Sequence, residues 1–219
     1  MAAKSQHERA ARQLGYSRIA GVDEVGRGAL FGPVFAAAVI LSPDRPIRGL
    51  DDSKLLLPER RQVLAARIRE RAQAWAIAAV DAFEIDRINI LEASRLAMAR
   101  AIEALAPQPD YLLVDAVTLH TLIPQKALIH GDALSQCIAA ASILAKVERD
   151  ACLCAWHMVF PEYGLEKHKG YSTPQHGNAL KIHGPTALHR FSFTPVRESC
   201  QRTPWTGYPT EQVAASACR

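Results

Sequence analysis

The stretch from Ile19 to Gly28 (Ile-Ala-Gly-Val-Asp-Glu-Val-Gly-Arg-Gly) constrains this chain more than any other. A short, β-prone apolar run ends in two adjacent carboxylates and a Gly-Arg-Gly turn. Acids at a strand end, followed by a turn with free backbone N–H groups, suit a site that holds metal ions against a phosphate. Taken alone, the stretch also fits an edge strand with solvated acids; Asp115 and Asp150, further along, favour the functional reading. Gly26, Gly28 and Gly32 are spaced one residue too widely for a dinucleotide fingerprint, and Asp23 and Glu24 would repel a pyrophosphate cradled there. A nicotinamide-cofactor site is therefore excluded. Neighbours on a regular strand point to opposite faces, so Asp23 and Glu24 are expected to share a site only if the pleat breaks at Glu24, which Gly26 would allow.

Further apolar runs alternate with stretches of helical spacing. Val34 to Leu41 is continuously apolar, as a strand buried on both faces would be. Pro58 opens an expected helix to about Gln73, with Val63, Leu64 and Ile68 on its apolar side and a charged face carrying Arg60, Arg61, Arg67, Arg69 and Arg71. Trp75 to Val80 reads as a strand, and Glu84 to Leu105 as one helix stopped by Pro107. Tyr111 to Asp115 is a second apolar strand ending in a carboxylate, Gln125 to His130 a short strand, and Leu134 to His157 a long Ala-rich helix containing Asp150. Strands interleaved with helices indicate an α/β layer architecture.

Residues 1–17 read as a charged lead-in with a short helix, 18–198 as one folded unit, and 199–219, rich in Ser, Thr, Pro and Ala, as a flexible tail. The chain is long enough for one sizeable core, and its net charge of +4 leans mildly toward polyanionic partners. No apolar run reaches membrane-spanning length, and Met1 to Arg12 is polar, so neither a membrane span nor a secretion signal is expected. The five cysteines (137, 152, 154, 200 and 218) form no C-x-x-C pair, which fits reduced thiols in a cytoplasm. His176, His183 and His189 lack ligand spacing and are expected to be solvated or structural.

Asp115 ends an apolar strand, and Asp150 sits in a helix, where propensity does not favour it. A salt bridge to Lys146, one turn back, would account for Asp150 without any function. Set beside Asp23, Glu24 and Asp115, it gives carboxylates from two strand ends and one helix, elements that can converge at one sheet edge. Four acids packed together cannot all stay ionised without cations between them, and all-oxygen coordination selects hard ions such as Mg²⁺ or Mn²⁺. Such a site beside basic residues suits phosphodiester hydrolysis.

From about Arg18 to Arg197 the chain resembles the ribonuclease HII family. The matching runs are Gly21 to Gly28, Asp52-Ser53-Lys54, Asn89-Ile90-Leu91, Leu113-Val114-Asp115, Ile138 to Val147 with Arg149-Asp150, His168-Lys169-Gly170-Tyr171, and Ser192-Phe193 with Pro195-Val196. The resemblance implies an RNase H-like fold, a central mixed sheet flanked by helices, with a C-terminal helical extension. It implies an Mg²⁺- or Mn²⁺-dependent endonuclease that cuts the RNA strand of RNA/DNA hybrids, and single ribonucleotides embedded in duplex DNA, leaving a 3′-hydroxyl and a 5′-phosphate. A monomer serving ribonucleotide removal and RNA primer processing is expected. The metal-binding carboxylates carry over onto Asp23, Glu24, Asp115 and Asp150. The reader of the ribose 2′-hydroxyl falls on Gly26, Arg27 and Gly28, the family's tyrosine on Tyr171, and Lys54 lies in a run used near the nucleic-acid backbone. The chain departs from the family at Ala29, Leu55, Ala116 and His130, which bears on rate and affinity. Ribonuclease HIII would ordinarily carry an extra N-terminal domain, and a silent nucleic-acid binder would gain nothing from four acids facing phosphates.

Overall fold

The computed structural model describes residues 5–202, so residues 1–4 of the lead-in and 203–219 of the expected tail lie outside the described residues. In chain order the elements are α1 (Gln6–Gln13), β1 (Ile19–Val25), β2 (Val34–Ile40), α2 (Pro58–Arg71), β3 (Ala74–Val80), α3 (Ala82–Ile88), α4 (Ile90–Glu103), β4 (Tyr111–Asp115), β5 (Gln125–Leu128), α5 (Gly131–Leu134), α6 (Gln136–Val159), a 3₁₀ turn (Pro161–Tyr163), α7 (Leu165–His168), α8 (Pro174–His183) and α9 (Thr194–Arg202). The sheet order is β3-β2-β1-β4-β5. The pairs β1/β2 and β2/β3 are antiparallel, while β1/β4 and β4/β5 are parallel, so the sheet is mixed and the α/β expectation holds.

Both sheet faces are covered, which is why the strands are apolar throughout. Ala20, Val22, Ala36 and Ala38 pack with Ala93, Ala97, Met98 and Ala101 of α4 on one face. Ala37 and Val39 pack with Leu64 and Ile68 of α2 and with Ala140, Ile143 and Leu144 of α6 on the other. Small alanines let α6 lie close against β1 and β2. The register sets the functional edge: β1 and β4 run parallel with Val22 opposite Val114, so Asp23 and Asp115 leave the sheet side by side.

The single helix expected over 84–105 is two. Asn89 adopts a left-handed backbone (φ 69°), and its side chain accepts from the amides of Leu91 (2.9 Å) and Glu92 (3.1 Å), ending α3 and starting α4. Asparagine tolerates that conformation and caps helices, so two local preferences outweigh a continuous apolar stripe. The lead-in does contain a helix, and α1 docks: the Glu8 carboxylate accepts from the Ser135 hydroxyl (2.7 Å) and the Cys137 amide (3.0 Å), a favourable anion at the N-terminus of α6.

The C-terminal extension closes over Phe31, Leu153, Tyr163, Leu165, Leu180 and Val196. Within it runs a chain of neutral imidazoles. The Thr186 amide donates to His189 Nδ1 (2.9 Å), leaving the proton on Nε2, which donates to His176 Nε2 (3.1 Å). His176 Nδ1–H then donates to the Tyr171 carbonyl (3.0 Å). His176 and His189 are thus structural and His183 is exposed, as the sequence reading allowed. Burial holds the His176 imidazole down to about 4, and burial with the neighbouring His176 holds His189 down to about 3.

A proton taken up by the unfolded chain near pH 6.5 is therefore refused by the folded one until far lower pH. Stability is full above pH 6.5 and falls as pH drops toward 4. Two such histidines are expected to remove roughly 3–4 kcal/mol between pH 7 and 5. Asp23, Glu24 and Asp132, whose folded pKa values are raised, work in the opposite sense and offset part of the loss. Urea unfolding across that range checks the assignment: His189→Gln should flatten the acid slope relative to the parent chain, and an unchanged slope would contradict it.

Candidate active site

Asp23 is buried near the end of β1, on the face covered by α6. Its Oδ1 accepts from the Glu24 amide (2.7 Å) and it is hydrogen-bonded to Ser142 of α6, whose hydroxyl meets that of Ser53 (2.8 Å). Burial first, then the charges of Glu24 and Asp115, push the Asp23 carboxyl well above the ordinary carboxylate range. Burial also raises Glu24; Arg27, with Nη1 at 3.4 Å, holds it back, and Asp115 adds to the rise.

The pleat does not break at Glu24. Pairing with β2 stays regular through Val25 opposite Phe35, and the chain turns only at Gly26 (φ 94°). Asp23 and Glu24 therefore stand on opposite faces of β1 and are brought into one electrostatic unit by Asp115, which acts on both.

Asp115 Oδ1 accepts from the Gly131 amide (2.7 Å), and a Cβ at Gly131 would sit 3.1 Å from that oxygen, so the chain after β5 passes directly over the strand end. After Asp115 the backbone turns through Ala116 in a left-handed conformation (φ 54°) that glycine would adopt without strain, and the departure at His130 shows the same feature (φ 56°).

The residue after Gly131 was missed in the sequence reading. Asp132, on α5, is buried, and burial, Asp52 and Asp115 all raise its carboxyl. Lys54 is the local counter-charge. Burial depresses its ammonium, but Asp52, Asp132, Asp23 and Asp115 together leave it raised.

Asp150 belongs elsewhere. It pairs with Lys146 (2.8 Å) and Arg61 (3.7 Å) and lines a basic cavity of about 500 Å³ with Lys167 and Lys169. It lies eight residues beyond Ser142 on α6, about 12 Å along a helix rising 1.5 Å per residue. The structure therefore does not bring Asp150 to Asp23, Glu24 and Asp115: its i, i+4 salt bridge to Lys146 holds it apart, and the further acid on which Asp115 acts is Asp132.

Among the described residues, no three His, Cys, Asp or Glu side chains already close on a single point as ligands. The donor set nevertheless suits a hard divalent cation. Glu24 Oε2 is buried without a hydrogen-bond partner, and Asp23, Glu24 and Asp132 are raised by one another or by Asp115, which a cation between them would relieve.

Beside the acids, the Gly26-Arg27-Gly28 turn joins Tyr171 through a β-bridge between Ala29 and Tyr171, and the Leu30 amide donates to the Gly170 carbonyl (2.8 Å). The structure thus brings together Asp23, Glu24, Asp115 and Lys54 on one side and Gly26, Arg27, Gly28 and Tyr171 on the other.

A family model described as Ribonuclease HII matches residues 20–196. The chain is 66% identical over 190 residues to the Ribonuclease HII of Solibacter usitatus, covering 87% of this chain and 83% of the relative. It is 57% identical over 192 residues to the Ribonuclease HII of Koribacter versatilis, covering 88% and 76%. Among solved structures, the ribonuclease H2 from Pyrococcus horikoshii matches with a TM-score of 0.72 at 26% identity, over 85% of this chain and 98% of that one.

Proposed function

The chain belongs to the ribonuclease HII family, and from that premise we propose how its residues divide the work. The family hydrolyses RNA in RNA/DNA hybrids and depends on a divalent metal ion; this chain is an endoribonuclease H of that kind. Asp23, Glu24, Asp115 and Asp132 are the residues that would hold Mg²⁺ or Mn²⁺, with Asp132 rather than Asp150 as the fourth acid. A divalent ion so held supplies positive charge to the phosphodiester and acidity to water. The observation that carries this reading is the convergence of Asp23, Asp115 and Asp132 about Lys54, with one buried Glu24 oxygen left unpartnered.

Around that centre, the chain's own groups select and orient. Lys54 presents the cation that faces the acids and, beyond them, the substrate backbone. The Gly26-Arg27-Gly28 turn approaches the sugar closely because Gly28 faces open space, where an added Cβ would meet nothing within 4 Å. The hydroxyl that distinguishes RNA from DNA is both donor and acceptor, and a site built to pair it rejects the sugar lacking it strongly. Tyr171, bridged to the turn, supplies an aromatic face and a hydroxyl for the neighbouring deoxynucleotide.

The reading extends to single ribonucleotides embedded in duplex DNA, cut to leave a 3′-hydroxyl and a 5′-phosphate in ribonucleotide removal and primer processing. It places the catalytic unit at 18–198, as a monomer in the cytoplasm. No helix of the described residues is long and apolar enough to cross a membrane, and Cys137, Cys152, Cys154 and Cys200 are free thiols.

The deciding experiment is cleavage of duplex DNA carrying one ribonucleotide, beside an all-DNA duplex, in Mg²⁺, in Mn²⁺ and with chelator. Cutting at the ribonucleotide alone, abolished by chelator and restored by either ion, is the expected result. Tyr171→Ala is expected to lower kcat/KM on that substrate by about 10–100-fold while duplex binding changes little. Equal cleavage of the all-DNA duplex would refute reading of the 2′-hydroxyl.

A further inference from the structure

Arg149 on α6 and Arg190, between α8 and α9, are wholly buried, and neither forms an ion pair with a carboxylate among the described residues. Asp150 and Asp86 act on them only from a distance. Buried cations are ordinarily paired, because leaving water without a counter-charge is costly. Here two of them lie near enough for Arg149 to depress Arg190, which burial already lowers, to about 9.

What they hold is backbone. Arg149 donates from Nε to the Pro33 carbonyl (3.3 Å), from Nη2 to that of Phe31 (3.4 Å) and from Nη1 to that of Lys169 (2.9 Å). Arg190 donates from Nε to the Gly32 carbonyl (2.9 Å) and from Nη1 to that of Arg27 (2.8 Å). Four of these five carbonyls fall in the seven-residue segment 27–33, which leads from the Gly-Arg-Gly turn into β2. The Arg190 amide also donates to the Leu30 carbonyl (2.9 Å).

Gly26 is what admits the first guanidinium: a Cβ there would lie 2.1 Å from Arg149 Nε. The same guanidinium lies over the Tyr171 ring, 5.3 Å from its centroid. The back of the turn is therefore fastened into the protein, while its front at Gly28 is open.

We propose that Arg149 and Arg190 are positioning residues for ribonucleotide selection. They fix the 26–33 segment and the Tyr171 ring at one spacing, so that the turn meets the 2′-hydroxyl of a single ribose. The inference rests on the reading of the Gly26-Arg27-Gly28 turn and Tyr171 as the reader of that hydroxyl. Arginine is needed because one planar fork spans two carbonyls in fixed directions, which the single point of a lysine ammonium cannot do.

The test uses the full chain with Arg190→Lys, Arg149→Lys and, as a probe of the turn itself, Gly28→Val. Each is assayed in Mg²⁺ for kcat and KM on a one-ribonucleotide duplex and on a uniform RNA/DNA hybrid, with thermal unfolding alongside. A uniform hybrid presents a ribose in every register, so a displaced turn still finds one; a lone ribonucleotide offers a single chance. Arg190→Lys is expected to lower kcat/KM on the one-ribonucleotide duplex by about 10–100-fold, and to lower it on the hybrid at least tenfold less. A merely structural role would move both substrates together.

If Arg190→Lys does not fold, the same ratio measured on Arg149→Lys decides. Parallel losses on both substrates in the folded arginine variants, while Gly28→Val still shifts the ratio, overturn the inference and leave the reading of the turn standing. No shift in Gly28→Val overturns the reading of the turn, and the arginine pair's role with it.

Discussion

Asp132→Asn is expected to lower kcat by about 10²–10³-fold or more, while Asp150→Asn stays within about fivefold of the parent chain. Asparagine keeps the shape and removes the charge, so folding should persist in both. The asymmetry follows from what each acid faces. Asp132 is buried, and its carboxyl is raised by burial, Asp52 and Asp115, whereas Asp150 is already neutralised by Lys146 and Arg61. A carboxylate held against like charges has energy to release when a cation arrives; one held by two cations has little.

Asp23→Asn and Asp115→Asn should match the loss at Asp132, because Asp115 is the charge that links Asp23, Glu24 and Asp132. The measurement is single-turnover cleavage of a one-ribonucleotide duplex at saturating Mg²⁺, with isothermal titration of the ion in parallel. Mg²⁺ affinity should weaken in Asp132→Asn and hold in Asp150→Asn. If Asp150→Asn proved the crippled variant and Asp132→Asn the active one, Asp150 would be the metal ligand that the family motif implies and the proposed role of Asp132 would fall.

The sheet was largely legible because strands covered on both faces must be apolar along their length, and Ile19–Val25, Val34–Ile40 and Tyr111–Asp115 stand out against polar connections. Asp23, Glu24 and Asp115 were legible for the same reason, as charges that end such runs. Asp132 was overlooked, although a signal was present: Gly131-Asp132 follows the short strand β5, which pairs with β4, so an acid there falls near the strand end that carries Asp115. Asp150 drew notice as an anomaly of propensity, yet its neighbour four residues back already carried the ordinary explanation.

What sequence could not supply was anything that depends on distant chain segments meeting. The docking of Glu8 on α6 spans more than a hundred residues, and the imidazole chain through His189 and His176 needs a backbone amide from Thr186 to fix its tautomers. Two arginines left without a carboxylate likewise cannot be seen until the fold removes them from water.

Gly21→Ala is expected to destabilise the chain by about 3 kcal/mol or more, a large share of the 5–15 kcal/mol typical of a domain. A Cβ at that position would lie 2.0 Å from the Cys137 carbonyl carbon, 2.3 Å from the Ile138 nitrogen and 2.4 Å from the Cys137 oxygen. All three are backbone atoms in the first turn of α6, so no side chain can swing aside. That turn is held in turn by the Ser135 cap on the Ile138 amide (3.2 Å) and by Glu8 on the Cys137 amide. Relief requires α6 to retreat from β1, opening the cluster of Ala139, Ala140 and Ile143 packed between helix and sheet. The retreat also draws Ser142 from Asp23, so the damage should reach the active site: any Gly21→Ala protein that folds should lose turnover beyond what its unfolded fraction explains. Gly28→Ala is the contrast, since its Cβ meets nothing within 4 Å and its stability should stay within about 0.5 kcal/mol of the parent. Urea midpoints for the two variants, measured at one pH with unchanged m-values, separate the cases. A Gly21→Ala loss below 1 kcal/mol would mean that β1 and α6 do not approach as closely as the backbone here requires.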